Sequence, residues 1–200
     1  MKKILIIVDV QNDFCPNGNL AVKDGDLITP YINKLIQSKD YDFIVATKDW
    51  HPKDHKSFAS NNNKSVGEFI KLNGVLQIMW PDHCIKGTVG AQLHSALDQD
   101  NIDFIFTKGS NKEIDSYSAF FENDLQTKTG LDEFLKAKSV TNIDVVGLAL
   151  DYCVKATAID AQSLGYNTTV LLEGTKAVNL NEGDDKKAIE LLRSKKVKVI

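Results

Sequence analysis

The run Ile4-Leu5-Ile6-Ile7-Val8-Asp9 decides how this chain folds. An unbroken aliphatic stretch closed by an acid fits a strand covered on both faces, since a half-exposed strand would alternate apolar with polar residues. The preceding Met1-Lys2-Lys3 gives the segment the look of a secretory leader, but the apolar run is too short for one and stops at Asp9.

Similar runs recur at Phe43–Ala46, Ile102–Phe106, Ile143–Leu148, Thr169–Leu172 and Val197–Ile200. Helical stripes lie between them. Leu27, Ile28, Tyr31, Ile32, Leu35 and Ile36 form one, and Leu131, Phe134 and Leu135 another; Ala156 to Leu164, stopped by Gly165, and Ala188 to Leu192 complete the set. Strands alternating with helices predict an α/β fold: a doubly wound, mainly parallel six-stranded sheet flanked by helices. No repeat or linker interrupts the pattern, so residues 1–200 are expected to form a single domain. Two stretches, 48 to about 90 and 109 to about 128, lack this pattern but hold aromatics and histidines. Irregular loops of that length in a compact domain usually carry function. The part from 60 to 78 matches no assignable element, and Gln92 to Ser95 is expected to be helical with His94 in a structural role.

The 200 residues carry a formal charge of −3 and give no broad basic footprint, which argues against nucleic acid or an anionic membrane as partner. No stretch approaches the roughly 20 apolar residues of a membrane span. Cys15, Cys84 and Cys153 are widely spaced and odd in number, unlike a disulfide framework, so reduced thiols and a cytoplasmic setting are expected. A small-molecule substrate is the expected partner.

In an open parallel sheet, ligands bind beyond the carboxyl ends of the strands. Asp9 closes the first strand, Asp49 and His51 follow the second, Lys108 ends the third, and Cys153 comes at a helix start after the fourth. Alone, Asp9 would read as a cap, Lys108 as a surface charge and Cys153 as a packed thiol. An acid, a base and a thiol at one edge of the sheet, where no packing rule requires them, point to chemistry. A helix N-terminus and an ammonium are expected to bring the thiol pKa toward neutrality, with Asp9 accepting the proton. That arrangement leaves His51, His55, His83 and His94 free for other work. Asp49-Trp50-His51 places two ligand types on one side of an extended segment, and Trp80-Pro81-Asp82-His83-Cys84 supplies a third, a set able to hold a divalent metal.

These residues resemble the nicotinamidase branch of the isochorismatase-like cysteine hydrolases along almost the whole chain. The matching segments are Val8 to Cys15 with Gly18 and Leu20-Ala21-Val22; Lys48 to Pro52 with His55 and Ser57-Phe58-Ala59; Trp80 to Cys84; and Gly90 to His94. Lys108-Gly109, Asp115 to Phe120 and Gly147 to Lys155 complete them. The resemblance implies an isochorismatase-like hydrolase fold, a catalytic triad of Asp9, Lys108 and Cys153, and a cis peptide at Leu148–Ala149. It also implies an oxyanion hole from the amides of Ala149 and Cys153. Phe14, Trp80 and Tyr117 match pyridine-pocket positions. Asp49, His51 and His83 match the protein ligands of one divalent metal ion, zinc before iron or manganese, with His55 as a further ligand in some relatives. The activity implied is hydrolysis of nicotinamide, and also pyrazinamide, through a cysteine thioester; homo-oligomers occur. The alternatives are a related hydrolase of another small amide or of isochorismate, and a non-catalytic thiol sensor. Other members of the superfamily generally lack the D-x-H and W-P-x-H-C segments present here.

Overall fold

A computed structural model describes residues 2–200. Strands β1 (Lys2–Val8), β2 (Phe43–Asp49), β5 (Phe104–Lys108), β6 (Val140–Leu148), β7 (Asn167–Lys176) and β8 (Lys198–Val199) form one sheet. Its order is β5-β2-β1-β6-β7-β8, with every neighbouring pair parallel. Counted along the chain, these strands stand 3-2-1-4-5-6, so the winding direction reverses between β1 and β6.

The side-chain alternation of β1 explains its unbroken apolar run. Ile4, Ile6 and Val8 pack with Leu131 and Leu135 of α2 (Leu131–Ala137), Ala158 and Ala161 of α3 (Lys155–Ser163) and Leu192 of α4 (Asp184–Ser194). Leu5 and Ile7 face the other way, against Ile32 and Ile36 of α1 (Thr29–Gln37) and against Cys84, Ala91 and Leu93. Each such side chain contributes about 1.5–3 kcal/mol when fully covered. The irregular connection from β2 to β5 therefore does on its face what a second helix would do. At the reversal β1 and β6 run unusually close: Gly147 has φ 116°, and a Cβ there would lie 2.0 Å from the Val8 carbonyl oxygen. Only glycine fits.

Several boundaries differ from the sequence reading. β5 begins at Phe104, not Ile102, because Asp103 spends its carboxylate on the Ile44 amide (2.7 Å). β7 is longer than expected and β8 shorter. Gln92–Ser95 is not helical: Leu93 bridges Gln11 and the His94 amide donates to the Val10 carbonyl (2.8 Å), so cross-chain pairing takes the bonds a helix would need. The unassigned 60–78 stretch contains an antiparallel hairpin, β3 (Phe69–Leu72) and β4 (Val75–Ile78). Asn73 and Gly74 turn it at φ 49° and 85°, the geometry for which Asn-Gly is favoured. No helix among the described residues is long and apolar enough to cross a membrane.

Candidate active site

The carboxyl edge of the sheet collects the predicted residues. Asp9 follows β1 directly in a left-handed conformation, φ 48°. Asp49 and Lys108 end β2 and β5 and are register partners. Cys153 sits in a single π-helical turn, Leu150–Val154, that leads from β6 into α3. Lys108 is the hub. Its Nζ lies 2.8 Å from Asp9 Oδ2 and 3.4 Å from Cys153 Sγ, donates to the Ser116 carbonyl at 2.7 Å, and hydrogen-bonds Asp49 Oδ1. All four side chains are buried.

Two carboxylates around one ammonium take opposite roles. Burial raises the Asp9 carboxyl to about 6 in spite of Lys108. Burial acts on Asp49 as well, but Lys108, His51 and His83 outweigh it and hold that group well below the usual carboxylate range. Asp9 is therefore the proton carrier and Asp49 the permanent anion. The Thr47 hydroxyl donates to Asp9 Oδ1 at 2.7 Å, whereas Oδ2 is buried without a hydrogen-bond partner. That free oxygen and Cys153 Sγ belong to one cluster whose members lie within 4.8 Å of one another. The expected near-neutral thiol is not found: burial pushes the Cys153 pKa well above its ordinary value, and the lowering by Lys108 does not offset it because Asp9 and Asp49 add to the rise. The resting site thus holds a thiol beside a base.

Asp49 also faces the second constellation. His51 Nε2 and His83 Nε2 lie 3.7 and 3.9 Å from Asp49 Oδ2. Each ring is oriented by its other nitrogen, His51 Nδ1 on the Gly109 carbonyl and His83 Nδ1 on the Pro81 carbonyl, both at 2.8 Å. Such backbone bonds fix the tautomer that offers Nε2 as a lone pair. Burial, then His51, pushes His83 down to about 4, so it is neutral at physiological pH. His51 Nε2 is buried with no hydrogen-bond partner. Two aimed imidazoles, an anionic oxygen and an orphaned nitrogen fit a divalent cation. His55 stands apart: Nδ1 pairs with Ser57 Oγ (2.7 Å) and Nε2 faces the Ile114 carbonyl (3.3 Å), and it clusters with His51 and Asp115, not with Asp49 and His83.

Above Cys153 a small cavity is bounded by Phe14, Trp80 and Tyr117, as expected, with Asp49, His83 and Ala149 in its floor. The Leu148–Ala149 peptide is cis. Leu20, Asp115, Tyr152 and Val178 also line it. The sequence reading assigned these no role, although Tyr152 adjoins the nucleophile and Asp115 opens a matched segment. Tyr152 packs edge-on against Trp80, ring centroids 5.0 Å apart, and against Tyr117 at 5.6 Å. Buried polar residues brace the loops. Gln11 exchanges bonds with the Asp49 backbone (2.8 Å both ways), and Asp13 Oδ2 accepts the Cys84 amide at 2.7 Å. Asp151 ties the nucleophile turn to the amides of Val178 and Asn179, each at 2.9 Å. Gly109 has φ 65°, and a Cβ there would meet the His51 ring at 2.4 Å.

Residues 3–200 match the Isochorismatase domain. The chain is 48% identical over 178 residues to the nicotinamidase of Acinetobacter baylyi, covering 88% of this chain and 82% of that one. It superposes on a solved nicotinamidase/pyrazinamidase of Acinetobacter baumannii with a TM-score of 0.96 and 42% identity, over 100% of this chain and 95% of that one. The yeast nicotinamidase bound to the inhibitor nicotinaldehyde gives 0.93 at 37% identity, with 99% of each chain covered. The pyrazinamidase of Pyrococcus horikoshii in complex with zinc gives 0.80 at 31% identity, over 100% of this chain and 99% of that one. With sequence, fold and the carboxyl-edge cluster in agreement, the chain belongs to the isochorismatase family, within its nicotinamidase branch.

Proposed function

We propose that the protein hydrolyses nicotinamide to nicotinate and ammonia through a thioester on Cys153, with pyrazinamide as a further substrate. The observation that carries this reading is Asp9 Oδ2, a buried carboxylate oxygen without a hydrogen-bond partner, clustered with a buried thiol under an aromatic cavity. Asp9 at about 6 is mostly ionised at neutral pH, yet basic enough to carry a proton. It takes the Cys153 proton as sulfur adds to the carboxamide carbon, so the thiolate exists only as the new bond forms. The developing oxyanion is met by the amides of Ala149 and Cys153. Asp9 returns the proton to the amide nitrogen, the C–N bond breaks, and ammonia leaves. Water then gives a proton to Asp9 and its hydroxyl to the thioester; nicotinate departs as the thiol is reprotonated. Throughout, Lys108 keeps a positive charge against Asp9 and Asp49, which hold its pKa well above the ordinary value despite burial.

Asp49, His51 and His83 would hold one divalent ion, zinc before iron or manganese, which supplies a Lewis-acidic seat for the ring nitrogen. The zinc complex of the Pyrococcus relative supports that reading. Phe14, Trp80 and Tyr117 clasp the ring. Three free, buried cysteines support a reducing, cytoplasmic setting, where the reaction would return the pyridine acid to NAD synthesis. The test is ammonia release from nicotinamide by purified protein. No ammonia from nicotinamide, or faster turnover of isochorismate or another small amide, overturns the assignment.

A further inference from the structure

The hairpin β3–β4 inverts the usual pattern of a surface ribbon. Phe69 and Leu76 are 62% and 66% exposed, while Gln77 is 2% exposed and turned inward. An amide that deep must find partners, and a half-satisfied one is worse than an apolar side chain. Gln77 Nε2 donates to Asp115 Oδ2 (2.9 Å), to the Ile78 carbonyl (2.9 Å) and, more loosely, to Tyr117 Oη (3.2 Å). Its Oε1 accepts from Asn123 Nδ2 at 3.4 Å, and Asn123 Oδ1 accepts the Tyr117 amide at 3.0 Å. Tyr117 Oη accepts a further bond from Trp80 Nε1 at 3.0 Å. Burial and the Asp115 charge push the Tyr117 phenol well above its ordinary pKa, so the oxygen both donors reach is that of a neutral phenol.

We propose that Gln77 is the positioning residue of the substrate pocket, fixing Tyr117 and Asp115 against Trp80 and so setting the width of the slot that receives the aromatic ring. This rests on the reading of the cavity as the nicotinamide site. The network touches Trp80, Tyr117 and Asp115, three of the residues that line the cavity, and makes no contact with Asp9 or Cys153. Its loss should therefore weaken binding of ground state and transition state together and spare the covalent step, which is the kinetic signature of uniform binding.

The experiment is steady-state hydrolysis of nicotinamide by wild type and by Gln77→Leu, with near-ultraviolet circular dichroism as a record of the Trp80–Tyr117–Tyr152 cluster. Ammonia release by wild type tests the parent reading; the comparison of variants tests this one. Gln77→Leu is expected to raise KM about tenfold with kcat within about threefold, and to alter the aromatic dichroism. Should Gln77→Leu not fold, Asn123→Ala removes the bond to Gln77 Oε1 and to the Tyr117 amide from a half-buried position, and should raise KM about threefold on the same pattern. A folded variant with unchanged KM, or one losing kcat while keeping KM, overturns the proposal. If wild type releases no ammonia, the dichroism still decides: an unaltered aromatic spectrum in folded Gln77→Leu overturns the positioning role, and an altered one supports it.

Discussion

Cys153 and Asp9 divide one chemical task, and each can be removed separately. Cys153→Ala should lower turnover at least 10³-fold while nicotinamide still binds, because the sulfur is needed for the bond and not for the pocket. Cys15→Ala and Cys84→Ala, buried away from the reacting atoms, should change kcat less than about threefold. Turnover near wild type in Cys153→Ala would end the thioester mechanism. Asp9 must be ionised to accept the thiol proton, so kcat/KM should rise with pH through about 6 and level off above it. A profile flat from roughly pH 5 to 8 would assign the base elsewhere. These residues were legible in the sequence because each ends a strand, and strand ends at one edge must converge. The thiol's protonation was not, since it depends on two acids and one ammonium brought together from three strands and sealed from water.

At the scale of elements, the crossing of β1 and β6 is the tightest joint in the molecule. Gly147→Ala should destabilise the protein by about 3 kcal/mol or more, since the methyl must both hold φ 116° and displace the Val8 carbonyl 2.0 Å away. Urea unfolding followed by tryptophan fluorescence measures it, and a midpoint near wild type would mean that the strands part easily. The hairpin illustrates why elements can stay hidden. Leu72-Asn73-Gly74-Val75 is a strong turn signal, yet the strands on either side expose Phe69 and Leu76 and bury Gln77, so alternation points the wrong way. Function had overridden pattern there. The non-helical Gln92–Ser95 segment is the converse: its local residues permit a helix, and pairing with Gln11 and Val10 overrules them.

Across the whole molecule, the existence of six strands could be read from composition but their order could not, because pairs such as Ile4 with Ile143 join residues far apart in the chain. The order matters, since it puts Asp9 and the turn bearing Cys153 on either side of the reversal. The cation site is similarly assembled, from β2 and two separate loops. Elemental analysis should find about one equivalent of divalent metal in wild type and much less in His83→Ala. Chelation should raise KM for nicotinamide more than it slows alkylation of Cys153 by iodoacetamide. A fully active metal-free protein would reduce Asp49-Trp50-His51 to a structural loop. Asp49 gives this arrangement a thermodynamic consequence, because one oxygen bonds Lys108 while the other faces the two histidines. A cation drawing on that carboxylate leaves more of the ammonium's field to Asp9, so metal uptake must expel protons from Asp9, and by reciprocity each proton lost must tighten the metal. Affinity for the ion should therefore climb with pH through about 6, and the climb should be shallower in Asp9→Asn. The two centres share a single ledger of charge, and the medium's acidity sets how tightly the ion is kept.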